Sequence, residues 1–529
     1  MYVSSYAPYG AEGVIIRVEA DLRRGIPGID ITGLAEGAVR ESRERVMAAF
    51  RNSGYLFPPE RILINLAPAG VRKEGAALDL AIALAVMAAA QLVPLPDNLM
   101  VMGELELSGR LRPVRGALAA AAAGIEAGIR EFMAPAENAP EAAVLAESRV
   151  AAVSTLSEAA AALITWAKSG SLPAYQAPAA PEPGLRAQEE AGDFAEVRGQ
   201  GRYKRALEIA ASGGHNLLVF GPPGAGKTML ARRMAGIMAP LTTQEALEVT
   251  RLYSLAGIPR GGSALITSPP FRSPHHSASA EGILGGGRVI TPGEISLAHC
   301  GVLFMDEAPE FGNRVLQSLR EPLEDGVVTI SRAEGKARLP ADFQLFLAAN
   351  TCPCGRLGAR NSDGGSIGCL CAPEEIRRYW RKFSGALLDR IEVRVPVLAP
   401  DPSRMSESSE EPSAAVAARV AGAAAMQEER FKGAAIRRNA RMTPGMIERF
   451  CSLTDEGRRA LTLAAAKLGL SGRAFHSVLR TARTIADLDL AAGGSGSERI
   501  NTAHILEAVQ HRRLGEDPYD ILSVSGAAP

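Results

Sequence analysis

Short apolar runs alternate with Ala-rich stretches over the first third of the chain. The runs Gly13–Val18, Ile62–Leu66 and Leu99–Leu107 have the composition of β-strands, and the residues between them favour helices. The most apolar run, Leu80–Ala90, is too short to cross a bilayer and predicts a buried helix instead. Residues 1–166 are therefore expected to form one α+β domain.

Two polar stretches divide the rest of the chain. Residues 167–192 are rich in Pro, Ala and Ser without periodicity, which is typical of a flexible linker. From 193 to 400 strands and helices alternate, as in a parallel α/β sheet. A second polar stretch opens residues 401–514, which are nearly all helix formers, and a tail follows at 515–529. The pattern predicts an α/β core followed by a helical C-terminal domain.

The composition excludes several classes of protein. At 529 residues the chain is too long for one hydrophobic core. The formal net charge is +0, so a surface for nucleic acid would have to be a local patch. Six cysteines in so long a chain do not make a disulfide scaffold, and the first residues lack the pattern of a signal peptide. We expect a cytoplasmic protein with no membrane partner.

The strand Leu217–Phe220 is followed by a phosphate-binding loop and a helix. The loop GPPGAGKT consists of Gly221, Pro222, Pro223, Gly224, Ala225, Gly226, Lys227 and Thr228. In this context backbone N–H groups surround the phosphates, Lys227 reaches the β- and γ-phosphates, and the Thr228 hydroxyl binds Mg²⁺. The motif predicts ATP and Mg²⁺ as cofactors.

Two further apolar runs end in polar residues that suit the same site. GVLFMDE ends in Asp306, which would hold Mg²⁺, and Glu307, which would orient and deprotonate the attacking water. FQLFLAAN ends in Asn350, which would hold that water near the γ-phosphate. The pair Asp-Glu alone is weak evidence, but its position some eighty residues after the P-loop makes it strong.

Two arginines outside these runs are candidates for contact with the phosphates. Arg390, in SGALLDRIE, can reach the γ-phosphate bound by a neighbouring subunit, or it can form a surface salt bridge. Arg473 lies at the start of a helix, from where it could touch the phosphates from a lid. Arg480 and Arg483 follow it and are interpreted as structural.

Four of the six cysteines are clustered. Cys352 and Cys354 lie in CPCG, and Cys369 and Cys371 lie in CLC, with a polar, Gly-rich loop between the pairs. Four thiols around a segment without a core of its own indicate a structural, tetrahedral Zn²⁺ site. Reduced structural thiols and a redox pair are the competing interpretations.

Several longer motifs carry a resemblance to a known family. They are DFAEVRGQ, GPPGAGKT, FRSPHHS, TPGEISLAHCGVLFMDEAPEF, CPCG, SGALLDRIE and RTIADLD. Over essentially its whole length the chain resembles the YifB/ComM family of Mg-chelatase-like AAA+ ATPases. The resemblance implies a hexameric ATPase and, for ComM, a DNA helicase that promotes branch migration during natural transformation. By motif, Asn350 resembles sensor 1, Arg390 the arginine finger and Arg473 the sensor-2 arginine.

Two insertions in the core bear on what such a motor would act upon. Ala278–Gly293, the helix-2 insert, is Gly-rich and is expected to be mobile. Thr329–Phe343 predicts a β-hairpin with its tip at Ala333–Gly335 and resembles the hairpin found before sensor 1 in DNA motors. The charged residues Arg332, Lys336 and Arg338 would contact the phosphates of single-stranded or branched DNA. A solvated hairpin, charged for solubility, is the alternative.

The first domain resembles that of Lon-type proteases, of the ribosomal protein S5 domain 2-like fold. In those enzymes a Ser–Lys pair cleaves peptides. Here Ala77 stands in the serine's place, and Gly109–Gly124, which should supply the lysine, contains none. We expect no proteolysis, and interpret the domain as a scaffold for a substrate or partner, or as an aid to ring assembly.

Two functions remain in competition. The first is a DNA translocase or branch-migration helicase acting in recombination or natural transformation. The second is a chelatase-type motor that remodels a protein partner or assists metal insertion. Mg-chelatase motor subunits are not expected to carry the Lon-like domain or the CPCG insertion, which favours the first.

Overall fold

The computed structural model describes residues 2–33, 37–71, 73, 75–176, 192–258, 264–287, 290–332, 335–358, 367–398, 410–494 and 498–513. Over these ranges the chain forms a mixed sheet with helices, a parallel sheet with helices and a helical bundle, in that order.

The first domain is built on a seven-stranded mixed sheet. Its strands, with a separate small pair at β6 and β7, are β1 (Tyr2–Tyr9), β2 (Glu12–Arg23), β3 (Gly28–Thr32), β4 (Arg61–Ala67), β5 (Leu99–Val101), β6 (Glu104–Leu105), β7 (Leu111–Arg112), β8 (Glu131–Pro135) and β9 (Arg149–Val153). The order in the sheet is β3-β4-β2-β1-β5-β8-β9. Within this sheet β2 pairs antiparallel with β1 and β4 and the other pairs are parallel, while the separate pair β6–β7 is antiparallel. The helices are α1 (Gly37–Asn52), α2 (Asp79–Ala89), α3 (Ala117–Glu126), α4 (Ala139–Ala142) and α5 (Leu156–Ser169).

Helix α2 is the apolar helix expected at Leu80–Ala90. Its residues from Asp79 to Ala88 are all buried, as its lack of a polar face requires. The buried carboxylate of Asp79 accepts hydrogen bonds from the Ser42 hydroxyl and from Arg45 Nε at 2.6 Å. The single charge on the helix is therefore paired, which is the condition for burying it.

Two expectations about the first domain were wrong. Leu99–Leu107 is not one strand, because Gly103 breaks it: its N–H donates to Ala77 O and its carbonyl accepts from Leu80 N, both at 3.0 Å. The linker does not begin at 167 either. Helix α5 continues to Ser169, Leu172 is buried, and the N–H of Tyr175 donates to Val150 O. The rest of the expected linker, at 177–191, lies outside the described residues.

The central part of the chain contains a five-stranded parallel sheet. Its order is β11-β14-β17-β10-β18. The strands of this part are β10 (Leu217–Phe220), β11 (Phe271–Arg272), β12 (Gly285–Gly286), β13 (Thr291–Pro292), β14 (Val302–Met305), β15 (Val327–Arg332), β16 (Gly335–Pro340), β17 (Gln344–Ala349) and β18 (Val393–Pro396). Its helices are α6 (Gly201–Gly213), α7 (Lys227–Arg233), α8 (Thr243–Ala256), α9 (Ala280–Leu284), α10 (Glu294–Leu297), α11 (Asn313–Ser318), α12 (Arg320–Asp325), α13 (Pro373–Trp380) and α14 (Gly385–Leu388).

The two insertions in this core have regular structure. In the Gly-rich segment Ala278–Gly293, helix α9 buries Ile283, and β12 pairs antiparallel with β13. The segment is therefore folded against the core in its described part, which its glycines did not predict. The hairpin expected at Thr329–Phe343 starts earlier and ends earlier, as β15 and β16 pair from Val327↔Pro340 to Arg332↔Gly335.

The last part is a helical bundle that packs on the central domain. Its helices are α15 (Ser413–Arg430), α16 (Pro444–Phe450), α17 (Asp455–Leu468), α18 (Gly472–Ala491) and α19 (Thr502–Arg513). Buried residues of α15 and α18 share one apolar core with α6 and β10. Within the bundle Asp487 is buried and bonds Arg430 and Arg483, while Arg480 donates to Ala440 O at 2.6 Å.

The first domain rests on the central domain at two places. A Cβ atom on Gly10, in the β1–β2 turn, would lie 3.0 Å from the Cβ of Ala337 in the hairpin. The N–H of Gly116 donates to Ser254 Oγ of α8 at 2.9 Å. The hairpin and α8 are therefore in direct contact with the first domain. Among the helices described, none is both long and apolar enough to cross a membrane.

Candidate nucleotide-binding site

The P-loop follows β10, which is buried throughout. Gly221 admits no side chain, because a Cβ there would lie 2.1 Å from the carbonyl oxygen of Val397. Gly224 and Gly226 have φ of 75° and 83°, a left-handed conformation that favours glycine. Helix α7 then begins at Lys227, so its free N–H groups and its positive dipole end face the loop.

Lys227 is held at the centre of the site by oxygen acceptors. Its Nζ donates to Gly221 O at 2.8 Å, Pro222 O at 2.9 Å and Asn350 Oδ1 at 3.1 Å. Burial lowers the pKa of Lys227, and the negative charges of Asp306 and Glu307 oppose that shift. A buried ammonium beside weak acceptors is suited to an incoming polyphosphate.

Thr228 and Asp306 are also in contact. The Thr228 hydroxyl donates to Asp306 Oδ2 at 2.6 Å, which joins the start of α7 to the end of β14. A hydroxyl and a carboxylate beside a phosphate-binding loop are the oxygen ligands that Mg²⁺ accepts in such sites. These two side chains fit the ion, and they would hold it together with the phosphates.

The side chain of Glu307 is half-exposed. Its backbone has φ of 49°, which is uncommon for a residue other than glycine, and its N–H donates to Asp306 Oδ1 at 2.9 Å. Its Oε2 lies 3.5 Å from Nδ1 of His276. A half-exposed carboxylate next to the phosphate site is free to accept a proton from water.

The contact between His276 and Glu307 was not predicted. His276 lies in the loop after β11, and Glu307 lies in the loop after β14. These strands are parallel neighbours, so their carboxyl ends meet at one edge of the sheet. The motif FRSPHHS contains His276, but the contact with Glu307 can be predicted only when β11 and β14 are known to be adjacent.

Asn350 follows β17, the strand that lies between β14 and β10 in the sheet. Its side chain contacts Lys227, and its backbone N–H donates to the hydroxyl of Tyr379 at 3.3 Å. Five of the predicted residues, Lys227, Thr228, Asp306, Glu307 and Asn350, thus lie at the same edge of the sheet.

Arg390 lies at the other end of this sheet, where the amino ends of the strands meet. Its carbonyl oxygen accepts a hydrogen bond from Asn216 Nδ2 at 2.7 Å, and Asn216 precedes β10 whereas Gly221 follows it. At about 3.3 Å per residue the strand separates the two ends by roughly 16 Å, farther than an arginine side chain reaches. The guanidinium of Arg390 is therefore remote from the P-loop of its own chain.

Arg473 lies beside Arg390. Both guanidiniums contact the same oxygen, Oε1 of Glu324 on α12, at 2.8 Å for Arg473. Glu324 could not be predicted from the sequence, because its two partners lie far along the chain. The two candidate arginines thus form one group, separate from the P-loop.

The four clustered cysteines surround one point. The Sγ–Sγ distances are 3.4 Å for Cys352–Cys354, 3.7 Å for Cys354–Cys369 and 3.6 Å for Cys352–Cys369. The fourth sulfur atom, that of Cys371, completes the cluster, and all four atoms lie within 4.8 Å of one another. Four sulfurs at about 2.3 Å from one Zn²⁺ would be about 3.8 Å apart, so the arrangement fits a tetrahedral ion.

The cysteine cluster adjoins the P-loop. A Cβ on Gly355 would lie 2.7 Å from the ring of Pro223. Burial acts to raise the pKa of the Cys354 thiol, but hydrogen bonds from the backbone of Arg356 and Leu370 and with the Cys371 and Cys352 thiols together outweigh it and bring the pKa to about 6. The loop that holds the thiols is therefore in direct contact with the P-loop.

A second group of metal-binding residue types, Glu248, His299 and Cys300, does not suit a metal ion. His299 Nδ1 accepts a hydrogen bond from the backbone N–H of Asp342 at 3.1 Å. The proton of the neutral ring is therefore on Nε2, which donates to Glu248 at 3.0 Å. No lone pair of the ring is left for an ion.

Two of the three charges predicted for DNA contact lie on one exposed face of the hairpin. Lys336 and Arg338 alternate along β16 with the buried Ala337 and Leu339. The side chain of Arg332 and the tip at 333–334 lie outside the described residues. The exposed face is positively charged, and the other face packs on the core.

Ala77, which the resemblance to Lon-type proteases aligns with their serine, lies just before α2. The nearest lysine in sequence, Lys73, is buried and donates to the carbonyl oxygens of Gly33, at 2.8 Å, and Pro68. Its ammonium is thus committed to backbone acceptors.

The parallel sheet, the P-loop and the carboxylates at the end of β14 define a P-loop nucleotide-binding protein. Family models agree with this class. The magnesium chelatase, subunit ChlI model matches residues 193–405, the subunit ChlI of Mg-chelatase model matches 18–138, and the ChlI C-terminal model matches 410–512.

Relatives match over nearly the whole chain. An uncharacterized protein YifB of Salmonella typhimurium is 40% identical over 517 residues, covering 97% of each chain. The competence protein ComM of Haemophilus influenzae is 38% identical over 517 residues, also 97% of each. A Lon protease of Salinispora arenicola is 28% identical over 139 residues, 25% of this chain and 18% of that one. The chain belongs to the YifB/ComM family of Mg-chelatase-like AAA+ proteins, and this family implies ATPase activity.

Proposed function

We propose that this protein is an ATP-hydrolysing motor that assembles into a hexameric ring and moves along single-stranded or branched DNA. Its work would be helicase action or branch migration, in recombination or natural transformation. The ComM relative is named as a competence protein, which is consistent with such work. The first domain would act as a scaffold without protease activity, since Ala77 has no hydroxyl.

In this proposal each residue of the site has one task. The P-loop and Lys227 bind the triphosphate, and Thr228 with Asp306 hold Mg²⁺, which would neutralise phosphate charge. Glu307 orients a water and takes its proton, and Asn350 positions that water. Arg390 and Arg473 serve a nucleotide on the adjacent chain, because Arg390 is too far from its own P-loop.

One observation carries the choice of DNA over other partners. The hairpin with exposed Lys336 and Arg338 ends at Pro340, and β17 begins at Gln344 and leads straight to Asn350. Asn350 contacts Lys227 at 3.1 Å. A positively charged surface is thus joined by a single strand to the residue that would sense the γ-phosphate, as a motor on a polyanion needs.

Reversing the hairpin charges should abolish the response to DNA. In a Lys336→Glu, Arg338→Glu variant, DNA should no longer stimulate ATP turnover, while turnover without DNA should stay near that of the unmodified protein. Steady-state ATPase assays over a range of DNA and salt concentrations measure this. The matched control is Lys432→Glu, Arg459→Glu, since both side chains are exposed and lie in the helical bundle. Equal stimulation in all three proteins would contradict the proposal.

The alternative is a chelatase-type motor that remodels a protein partner or assists metal insertion. The match of residues 193–405 to the chelatase subunit ChlI family favours this alternative, because those subunits share the ATPase core. It predicts ATP turnover that DNA does not change. Strand-exchange and fork-unwinding assays with and without ATP separate the two functions.

The four-cysteine cluster would hold one structural Zn²⁺. Its sulfur spacing fits a tetrahedral ion, and four thiolates leave no open coordination position, so the ion would not take part in catalysis. Because Gly355 packs against Pro223, the ion would help to hold the P-loop in place.

Metal analysis tests this site directly. The purified protein should contain about one zinc per chain, and Cys354→Ser, Cys369→Ser should remove it. Cys300→Ser, outside the cluster, should retain it. Loss of zinc should also weaken nucleotide binding, measured by titration with a fluorescent ATP analogue. Protein that is active and free of zinc would leave reduced thiols or a redox pair as the explanation.

A further inference from the structure

The carboxylate of Glu324 is hydrogen-bonded to two arginines at the same time. It lies on α12 and accepts hydrogen bonds at Oε1 from Arg390 Nη2 and, at 2.8 Å, from Arg473 Nη2. The two arginines come from different parts of the chain, one after α14 in the central domain and one at the start of α18 in the helical bundle. Glu324 therefore joins the central domain to the bundle.

The charges of this group are not balanced. Two guanidiniums share one carboxylate, so a positive charge is left over and the two arginines repel each other. The carboxylate of Asp389, next to Arg390 in the chain, pairs with Arg512 instead, at 3.4 Å. Such a group is better satisfied by an acceptor with more negative charge, such as the phosphates of a nucleotide.

Arg390 is incompletely bonded in this arrangement. Its Nη1 donates to Ala386 O and its Nη2 to Glu324, but its buried Nε has no hydrogen-bond partner among the described residues. A buried donor without an acceptor costs free energy. The contact with Glu324 is thus one that Arg390 can exchange for a better one.

The position of Glu324 in the chain links this contact to the hairpin. Helix α12 ends at Asp325, Gly326 follows with φ of 67°, and β15 of the hairpin begins at Val327. A shift of Glu324 is therefore passed to the base of the hairpin within three residues. Arg441 also donates to Leu323 O at 2.6 Å, which holds the end of α12 to the bundle.

We infer that Glu324 is a positioning residue that stands in for the phosphates of a nucleotide on a second copy of this chain. Without that nucleotide Glu324 holds Arg390 and Arg473; when the phosphates arrive they displace the carboxylate, and α12 and the hairpin are released. This inference rests on the proposed function, because it assigns both arginines to the neighbouring chain. It explains how one ring position could report its nucleotide to the DNA-facing hairpin of the next.

The test is Glu324→Gln, which removes the charge and keeps the shape. Turnover of ATP without DNA should rise about two- to fivefold, the factor expected for releasing a partly exposed ion pair. The ratio of turnover with DNA to turnover without it should fall toward one. Glu324→Asp, which keeps the charge, should restore much of that ratio, and Glu321→Gln on the same helix should change neither quantity.

Further outcomes separate this inference from the proposed function. In an Arg390→Ala background Glu324→Gln should no longer raise turnover, because the released group is absent. If Glu324→Gln lowers turnover and thermal stability together, the residue is merely structural and the inference is wrong. If the unmodified protein is not stimulated by DNA, the proposed function fails, and an unchanged turnover without DNA in Glu324→Gln would then overturn the inference as well.

Discussion

Glu307→Gln should bind ATP as tightly as the unmodified protein and hydrolyse it about 10²- to 10⁴-fold more slowly, the range expected for loss of a general base. Glutamine keeps the size of the side chain and its contact distance to His276, but it cannot take a proton from water. The P-loop, Lys227 and Thr228 are untouched, so binding should persist. Single-turnover hydrolysis and equilibrium binding of ATP, measured on the same sample, check both halves of the expectation.

The neighbouring Glu310→Gln is the matched control. Glu310 is another half-exposed carboxylate on the same loop, and it lies 3.9 Å from the ammonium of Lys382. This variant should turn over ATP normally. Normal turnover in Glu307→Gln itself would remove Glu307 from its assigned role.

Arg390→Ala should reduce ATP turnover about 10³-fold or more, as expected for an arginine that stabilises the transition state from an adjacent subunit. The P-loop at the other edge of the sheet keeps all its residues, so ATP should still bind. Arg377→Ala is the control, because this arginine lies on the surface of α13 and pairs with Glu374 at 2.9 Å. Steady-state turnover at saturating ATP measures the difference.

Mixing two inactive variants tests whether the site is shared. Lys227→Ala lacks a working P-loop but keeps Arg390, while Arg390→Ala lacks the arginine but keeps the P-loop. In mixed rings some interfaces combine an intact P-loop with an intact arginine, so turnover should return. Failure of any mixture to recover activity would show that Arg390 does not act on a neighbouring chain.

The local parts of the nucleotide site could be predicted from sequence. The P-loop, Asp306 and Asn350 each follow an apolar run, and parallel strands bring such ends to one edge. The hairpin is likewise local, since its strands are joined by a short tip and alternate between exposed and buried residues. In each case the signal and the structure lie within about ten residues of each other.

Long-range contacts could not be predicted in this way. Glu324 contacts Arg473, which lies 149 residues further along the chain, and no pattern in either segment indicates this contact. His276 meets Glu307 only because β11 and β14 are neighbours. The break at Gly103 depends on its bonds to Ala77 and Leu80, which the alternation of apolar residues cannot reveal. These features require the tertiary arrangement first.

The close approach of Gly10 to Ala337 places the first domain against the hairpin, so the first domain would resist a movement of the hairpin. A strand pulled past Lys336 and Arg338 would push back through Ala337 into the β1–β2 turn, and from there into the seven-stranded sheet. Gly116 also holds that domain to Ser254 of α8, so in the proposed motor a movement of the hairpin would either carry the first domain with it or slide along the contact between the two domains. The distance that the hairpin moves in each ATP cycle would thus depend on the stiffness of the contact between the two domains as much as on the chemistry at the P-loop.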